Sequence, residues 1–307
     1  MKATKIISAC AVLVALASCS NDHVISQPGA EDTPIHIQAN VGAVTTKAAH
    51  NLLESSFGSG DAINVYISEN TTNGGTSSGG TYNGGMVYTH DGTNFVASTT
   101  QYFPANGNGI DVWGVYPSTV NESTQDFSIK NDQTLDADYK ASDLMFAAVL
   151  TNKTKTDPIN LIFAHQLSKI IVKLNKEQGV DATLNGAKIK LTDVIMKTGL
   201  TVSSTGITLG ALSNDGADKK ELTIGDYVAN DGTAAIVIPQ STSTMKFKVE
   251  LASGGTYTAA IPSAPTNFVA NTAYTYTLTL KANGINISAQ IDPWTPGTDG
   301  TGDATLQ

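Results

Sequence analysis

The 307-residue sequence contains no arginine, and its 18 basic side chains are all lysines. Against 27 acidic residues they leave a formal charge of −9. Nucleic-acid binding depends on cationic side chains that displace counterions from phosphate, so this composition predicts no nucleic-acid partner. Cysteine is scarcer still: after Cys19 there is none. A mature chain beginning there has no intrachain disulfide, no thiolate zinc site and no cysteine nucleophile beyond its first residue. Long apolar runs are also missing. The best, residues 6–17, falls short of the roughly 20 residues a membrane-spanning helix needs.

That short run has another reading. Lys2 and Lys5 precede it and Leu16-Ala17-Ser18-Cys19 closes it, the layout of a secretory signal ending in a lipobox. Residues 1–18 are therefore expected to be a lipoprotein signal peptide, with Cys19 carrying the lipid. Losing Lys2 and Lys5 takes the charge from −9 to −11, because every acidic residue lies beyond Cys19. Residues 19–33 are polar and include Pro28 and Gly29, as expected of a flexible tether. About 290 mature residues make roughly two domains.

Beyond the tether the dominant period is two. Ile35, Ile37 and Ala39 alternate with polar residues; so do Ile63, Val65 and Ile67, and Met245, Phe247, Val249 and Leu251. Such alternation predicts strands buried on one face and wet on the other. Asp91-Gly92, Asp231-Gly232 and Gly254-Gly255 carry hairpin-turn chemistry. A fourth signal, Asn283-Gly284, pairs Ala282 with Ile285, Leu280 with Ile287, Leu278 with Ala289 and Tyr276 with Ile291. Helical pattern is sparse: residues 47–57 read as a helix or an irregular crossing, and residues 175–185 as a turn. Residues 70–85, rich in Gly, Ser, Thr and Asn, read as a long hairpin loop. A polar stretch at 151–158 places the domain junction, giving sandwiches at 34–154 and 155–307. The expected fold is all-β, two tandem antiparallel β-sandwich domains with few short helices.

Catalytic motifs are absent: there is no Gly-x-Ser-x-Gly elbow, no phosphate-cradling loop and no His-Glu-x-x-His. The chain is read as a non-enzyme without cofactor or metal. Its five histidines (His23, His36, His50, His90 and His165) are scattered, with His36 and His90 expected to face solvent. Asp132, Asp136, Asp138 and Asp143 lack the glycine and terminal glutamate of a calcium loop and read as a solvated acidic connection. Tyr102, Phe103, Trp113 and Tyr116 fit a sandwich core, with a glycan-binding face as the alternative.

Several segments together resemble the fimbrillin-like family of Bacteroidales, lipoprotein precursors of type V pilus subunits. These are Gly60-Asp61-Ala62-Ile63-Asn64-Val65-Tyr66, Tyr102-Phe103-Pro104 and Ile110-Asp111-Val112-Trp113-Gly114-Val115-Tyr116-Pro117. Asp143-Leu144-Met145-Phe146-Ala147, Phe163-Ala164-His165-Gln166-Leu167-Ser168-Lys169 and the close at Ile291-Asp292-Pro293-Trp294 complete the series. The resemblance implies transthyretin-like, Greek-key sandwiches and a stalk, tip or anchor role in a fimbrium on the outer membrane. Its implied partners are other pilus subunits, the outer-membrane lipid through Cys19, and a host or bacterial surface ligand. It further implies proteolytic loss of the first strand and its replacement by a neighbour's strand. Ile35, Ile37 and Ala39 are the apolar positions of the exchanged strand, and Lys47-Ala48 is the cleavage point, with Lys47 where the family usually has arginine. The Gly-rich tail holds one weak donor candidate, Ala304-Thr305-Leu306. The competing reading is a surface glycan-binding lipoprotein that does not polymerise.

Overall fold

Alternating β-branched and aromatic residues between glycine-rich turns produce strands throughout the chain, because side chains two apart share one face. The computed structural model describes residues 33–42, 56–71, 82, 84–180, 182–212, 219–229, 232–282 and 284–294. The first half contributes β1 (Ile37–Val41), β2 (Ala62–Asn70), β3 (Met86–His90), β4 (Phe95–Ala97), β5 (Gly109–Tyr116) and β6 (Asp126–Ser128). A six-residue helix, α1 (Asp136–Ala141), precedes β7 (Met145–Lys153) and β8 (Ile159–His165). There follow β9 (Ser168–Lys176), β10 (Lys188–Ile195), β11 (Lys197–Ser203), β12 (Gly206–Leu212), β13 (Lys219–Asp226) and β14 (Thr233–Val237). The last are β15 (Lys246–Glu250), β16 (Thr256–Ala260), β17 (Thr272–Lys281) and β18 (Gly284–Pro293). The all-β expectation holds.

The first sheet closes into a barrel in the order β1-β4-β3-β2-β5-β7-β8. Inside it lie Ile35, Ile37, Ile63, Val65, Tyr88, Ile110, Val112, Leu161 and Phe163. The second half stacks β13-β10-β15-β16 and β14-β9-β17-β18 around another core, with β12-β11-β6 as a smaller sheet. Pairing is antiparallel except for β1 with β8 and β9 with β17. Strand β8 lies beyond the 154/155 line drawn from the sequence yet completes the barrel. Val120, Phe127, Ile129 and Leu144 lie before that line yet fill the second core.

Strand β2 departs from the simple alternation. Ile63, Val65 and Ile67 face the barrel interior as expected, but Asn64 and Tyr66 on the other face are buried too. The second core covers them: Tyr66 stacks on Trp113 of β5, ring centroids 3.9 Å apart and 4° from parallel, and both belong to that core. Asn64 Nδ2 donates to the Val120 carbonyl at 3.1 Å.

The turns divide similarly. Asp91-Gly92 joins β3 to β4, with Asp91 Oδ1 accepting from the backbone N–H of Thr93 and Asn94 at 2.8 Å each. Gly254-Gly255 joins β15 to β16, both glycines at positive φ. Asp231 lies outside the described residues, and the β14 that follows Gly232 pairs with β9 and not with β13, so the hairpin expected there is not formed between consecutive strands. Gly232 sits at φ 84° where a Cβ would lie 2.7 Å from the Val172 carbonyl, so it serves a close backbone approach. The β17–β18 ladder is real but two residues out from the predicted register: Leu280 meets Ile285, Leu278 meets Ile287, Tyr276 meets Ala289 and Tyr274 meets Ile291. Gly284, at φ 150°, is the first strand residue, opposite Lys281. A slip of two keeps every side chain on its face, so apolar pattern alone does not distinguish the two registers.

Residues 177–180 form the turn expected within 175–185. Two buried glutamines extend the sheets where strands run out. Gln133 accepts from the Ile236 N–H at 2.8 Å and donates to its carbonyl at 2.9 Å. Gln240 does the same for Ile195, at 2.8 and 3.1 Å. Replacing Gln133 with Leu strands both Ile236 groups in the core. We expect a loss of about 2–4 kcal/mol, measured as a lowered denaturant midpoint at unchanged slope.

On the outer face of the second sheet, Lys190 bridges Glu221 and Glu250 at 2.9 Å each, and Lys248 bridges the same pair at 3.1 and 2.6 Å. Hydrogen bonds, from Lys190 foremost to Glu221 and from Lys248 foremost to Glu250, hold both carboxyls below their ordinary 4.5. Carboxylates depressed in the folded state stabilise fully above the unfolded value, and lose that contribution as pH falls through the folded one. Thermal melts should therefore drop as pH falls below 4.5, and Glu221→Gln should make that drop shallower.

Candidate functional site: the first strand and the cavity at its end

Ile35 and Ile37 lie on the barrel's inner face with Val41, while Gln38 is exposed and Ala39 half-buried. Strand β1 runs parallel to β8, matching Ile37 with Ile159, Ala39 with Leu161 and Val41 with Phe163. Asn40 Nδ2 donates to Asn160 Oδ1 at 2.9 Å on the outer face. Before the strand, the Ile35 N–H reaches the Gln101 carbonyl at 2.7 Å and the Phe103 N–H reaches the Thr33 carbonyl at 3.0 Å. After it, Gly42 N–H reaches the Phe163 carbonyl at 2.9 Å.

The other edge of β1 is held far less. Against β4 only Ile37 and Phe95 are paired, antiparallel. On one side of that contact a cleft opens among Ile35, Tyr88, Val96 and Gln101, and on the other a second opens among Ala39, Phe57, His90 and Asn94. The segment 33–42 thus has one continuous ladder on β8, contacts at Pro34–Tyr102 and Ile37–Phe95 on its other edge, and three buried aliphatic side chains. Each of these is worth about 1.5–3 kcal/mol of apolar burial.

Val41 ends the strand at a small cavity lined also by Phe57, Tyr116 and Met145 from the barrel. Asp143, His165, Lys169 and Trp294 close its far side. His165 Nδ1 lies 2.9 Å from Asp143 Oδ1, and its ring stacks on Trp294 with centroids 3.6 Å apart and 3° from parallel. Lys169 Nζ sits 5.7 Å from the Trp294 ring and 5.5 Å from that of Tyr139, within reach of cation–π attraction. At the rim Lys140 bridges Asp61 and Asp136 at 3.2 and 3.3 Å. Burial would lower the Lys140 pKa, but the two carboxylates outweigh it and the net direction is upward.

Of the sequence-predicted site residues, Ile35 and Ile37 lie in the barrel core and Ala39 at its margin. Val41 was missed, although it continues the same alternation. Cys19, Lys47 and Ala48 lie outside the described residues, as do residues 304–306. The acidic connection needs correction at one position. Asp132 bonds Thr134, and Asp136 and Asp138 open α1, but Asp143 is buried against His165. His36 is exposed as expected, whereas His90 is half-buried with its ring against Phe95. Among the described residues no group of three or more His, Cys, Asp or Glu is placed to hold a metal ion. Phe103, Trp113 and Tyr116 are buried, and Tyr102 alone of the four aromatics is well exposed, at 38%. The Asp143–His165–Trp294 cluster was not foreseen. Its signal was the three family-like segments that each contribute one of its members.

A closed barrel completed by its first strand, joined to a β-sandwich, defines a class of two-core β-proteins. The chain belongs to the fimbrillin-like family, whose sequence pattern matches residues 46–294. It is 28% identical to a candidate fimbrium subunit of Bacteroides uniformis, Fim1C, over 99% of this chain and 100% of that protein. Its fold is similar to the crystal structure of a candidate cell-adhesion protein from the same species, with TM-score 0.63 and 23% identity over 88% of this chain and 100% of the other. A second such protein, from Bacteroides ovatus, gives TM-score 0.61 and 21% identity over 87% and 99%.

The burial pattern predicts that Ile37→Ala destabilises the folded chain by about 2–5 kcal/mol. Gln38→Ala, on the wet face, should stay within about 0.5 kcal/mol. Chemical denaturation of both variants checks the contrast.

Proposed function

We propose that the protein is a structural or adhesive subunit of a cell-surface pilus, exported as a lipoprotein anchored through Cys19 and assembled by strand exchange. Cleavage after Lys47 removes β1, and a strand from a neighbouring subunit takes its place. The observation that carries this reading is the position of β1. It supplies core side chains to a barrel that is otherwise complete, yet after the bridge at Pro34–Tyr102 its second edge is held only at the Ile37–Phe95 pair. Its removal would leave unpaired backbone groups along β8 and an apolar slot shaped by Ile35, Ile37 and Val41, the template that strand addition requires.

Direction supports the exchange as well. Parallel pairs are slightly less stable per residue than antiparallel ones, and β1 is parallel to β8. A donor strand entering from the opposite end would form the better ladder on that edge. Burial of three of the four candidate aromatics removes most of the platform that a glycan-binding, non-polymerising role would use.

Treatment of the exported protein with a trypsin-like, lysine-cutting protease should yield heat-resistant ladders on a denaturing gel, with an N-terminus at Ala48. Lys47→Gln should remain monomeric under the same treatment. Assembled pili whose subunits still begin at Cys19 would overturn the cleavage step. Cys19→Ser should lose incorporation of labelled fatty acid.

A further inference from the structure

The cavity at the end of β1 joins two segments far apart in sequence. Val41 is one wall and Trp294, directly after β18, is another. Trp294 is only 4% exposed, and its backbone N–H donates to the Asn271 carbonyl at 3.0 Å. Its ring is gripped by the His165 face on one account and by the Lys169 ammonium on another. His165 is fixed in turn by Asp143, so the stack is oriented rather than loose.

The grip has a built-in weakness. Trp294 Nε1 and His165 Nε2 are both buried and find no hydrogen-bond partner among the described residues. A buried polar atom left unpaired works against the closed state, and water entering the cavity would satisfy both atoms. On the barrel side the cavity wall is apolar, formed by Val41, Phe57, Tyr116 and Met145. Of these, Val41 departs if β1 departs.

We propose that the Trp294–His165 stack is a latch for the end of β18, and that the first strand sets it. With β1 in place the apolar wall of the cavity is complete and Trp294 stays docked. Loss of β1 removes the Val41 wall, hydrates the two unpaired nitrogens and frees Trp294 with the strand end it anchors. The use of such a latch in assembly rests on the strand-exchange reading, because it would prevent the far end of the chain from loosening before the barrel has opened. The coupling itself is a property of the single chain and is measurable without any polymer.

Coupling between two sites is reciprocal, which gives the test two arms on the full-length protein. The chain has two tryptophans, so Trp113→Phe leaves Trp294 as the only reporter. In that background Val41→Asp should shift the emission to the red and raise acrylamide quenching about threefold. Val41→Ala serves as the milder form if the aspartate variant fails to fold. In the second arm, Trp294→Leu in the otherwise native chain should speed amide exchange of residues 37–41 about tenfold while β15 is unchanged, which separates coupling from general destabilisation. Trp294 staying shielded when residues 37–41 have become fast-exchanging would overturn the latch. So would slow exchange of β1 in Trp294→Leu. Absence of protease-induced ladders would instead count against strand exchange and leave the latch standing.

Discussion

Closure of the barrel by β1 against β8 is the constraint on which the rest of the first core depends. A sheet of six strands without it would end in β4 and β8, with Leu161 and Phe163 facing a gap. The ladder from Ile37 to Val41 supplies both missing requirements at once, backbone partners and apolar volume. The short β4 has only three residues to offer on the other side. Closure is therefore asymmetric, strong along one seam and slight along the other.

The second core is bound to the first through side chains that a period-two reading assigns to water. Tyr66 and Trp113 lie on the outer face of the barrel and are buried because another body of apolar residues covers them. The chain also crosses back: residues around Phe127 leave the barrel, pair with β11 and return through α1 to β7. Such an excursion makes the two halves difficult to separate cleanly by any single cut in sequence.

This explains what was legible in advance and what was not. Strand identity, the apolar face of residues 35–39 and the facing of β17 against β18 follow from local alternation, and the sequence carries them plainly. Register across that hairpin was read two residues away, because only the turn residues choose between registers of equal parity, and Gly284 serves as a strand residue. Asp231-Gly232 carries hairpin chemistry, but turn chemistry does not reveal which strand comes next in space. The Asp143–His165–Trp294 cluster brings together residues 22 and more than a hundred positions apart. No local pattern marks them as neighbours.

The two glutamine clamps carry a consequence of their own. A primary amide recognises only the peptide group, so Gln133 and Gln240 hold Ile236 and Ile195 without regard to the side chains there. At those two places the hydrogen-bonding groups that a stray strand would seek are already occupied. Any sheet protein gains from leaving few such berths open to a foreign strand, and these two residues close a pair of them from within.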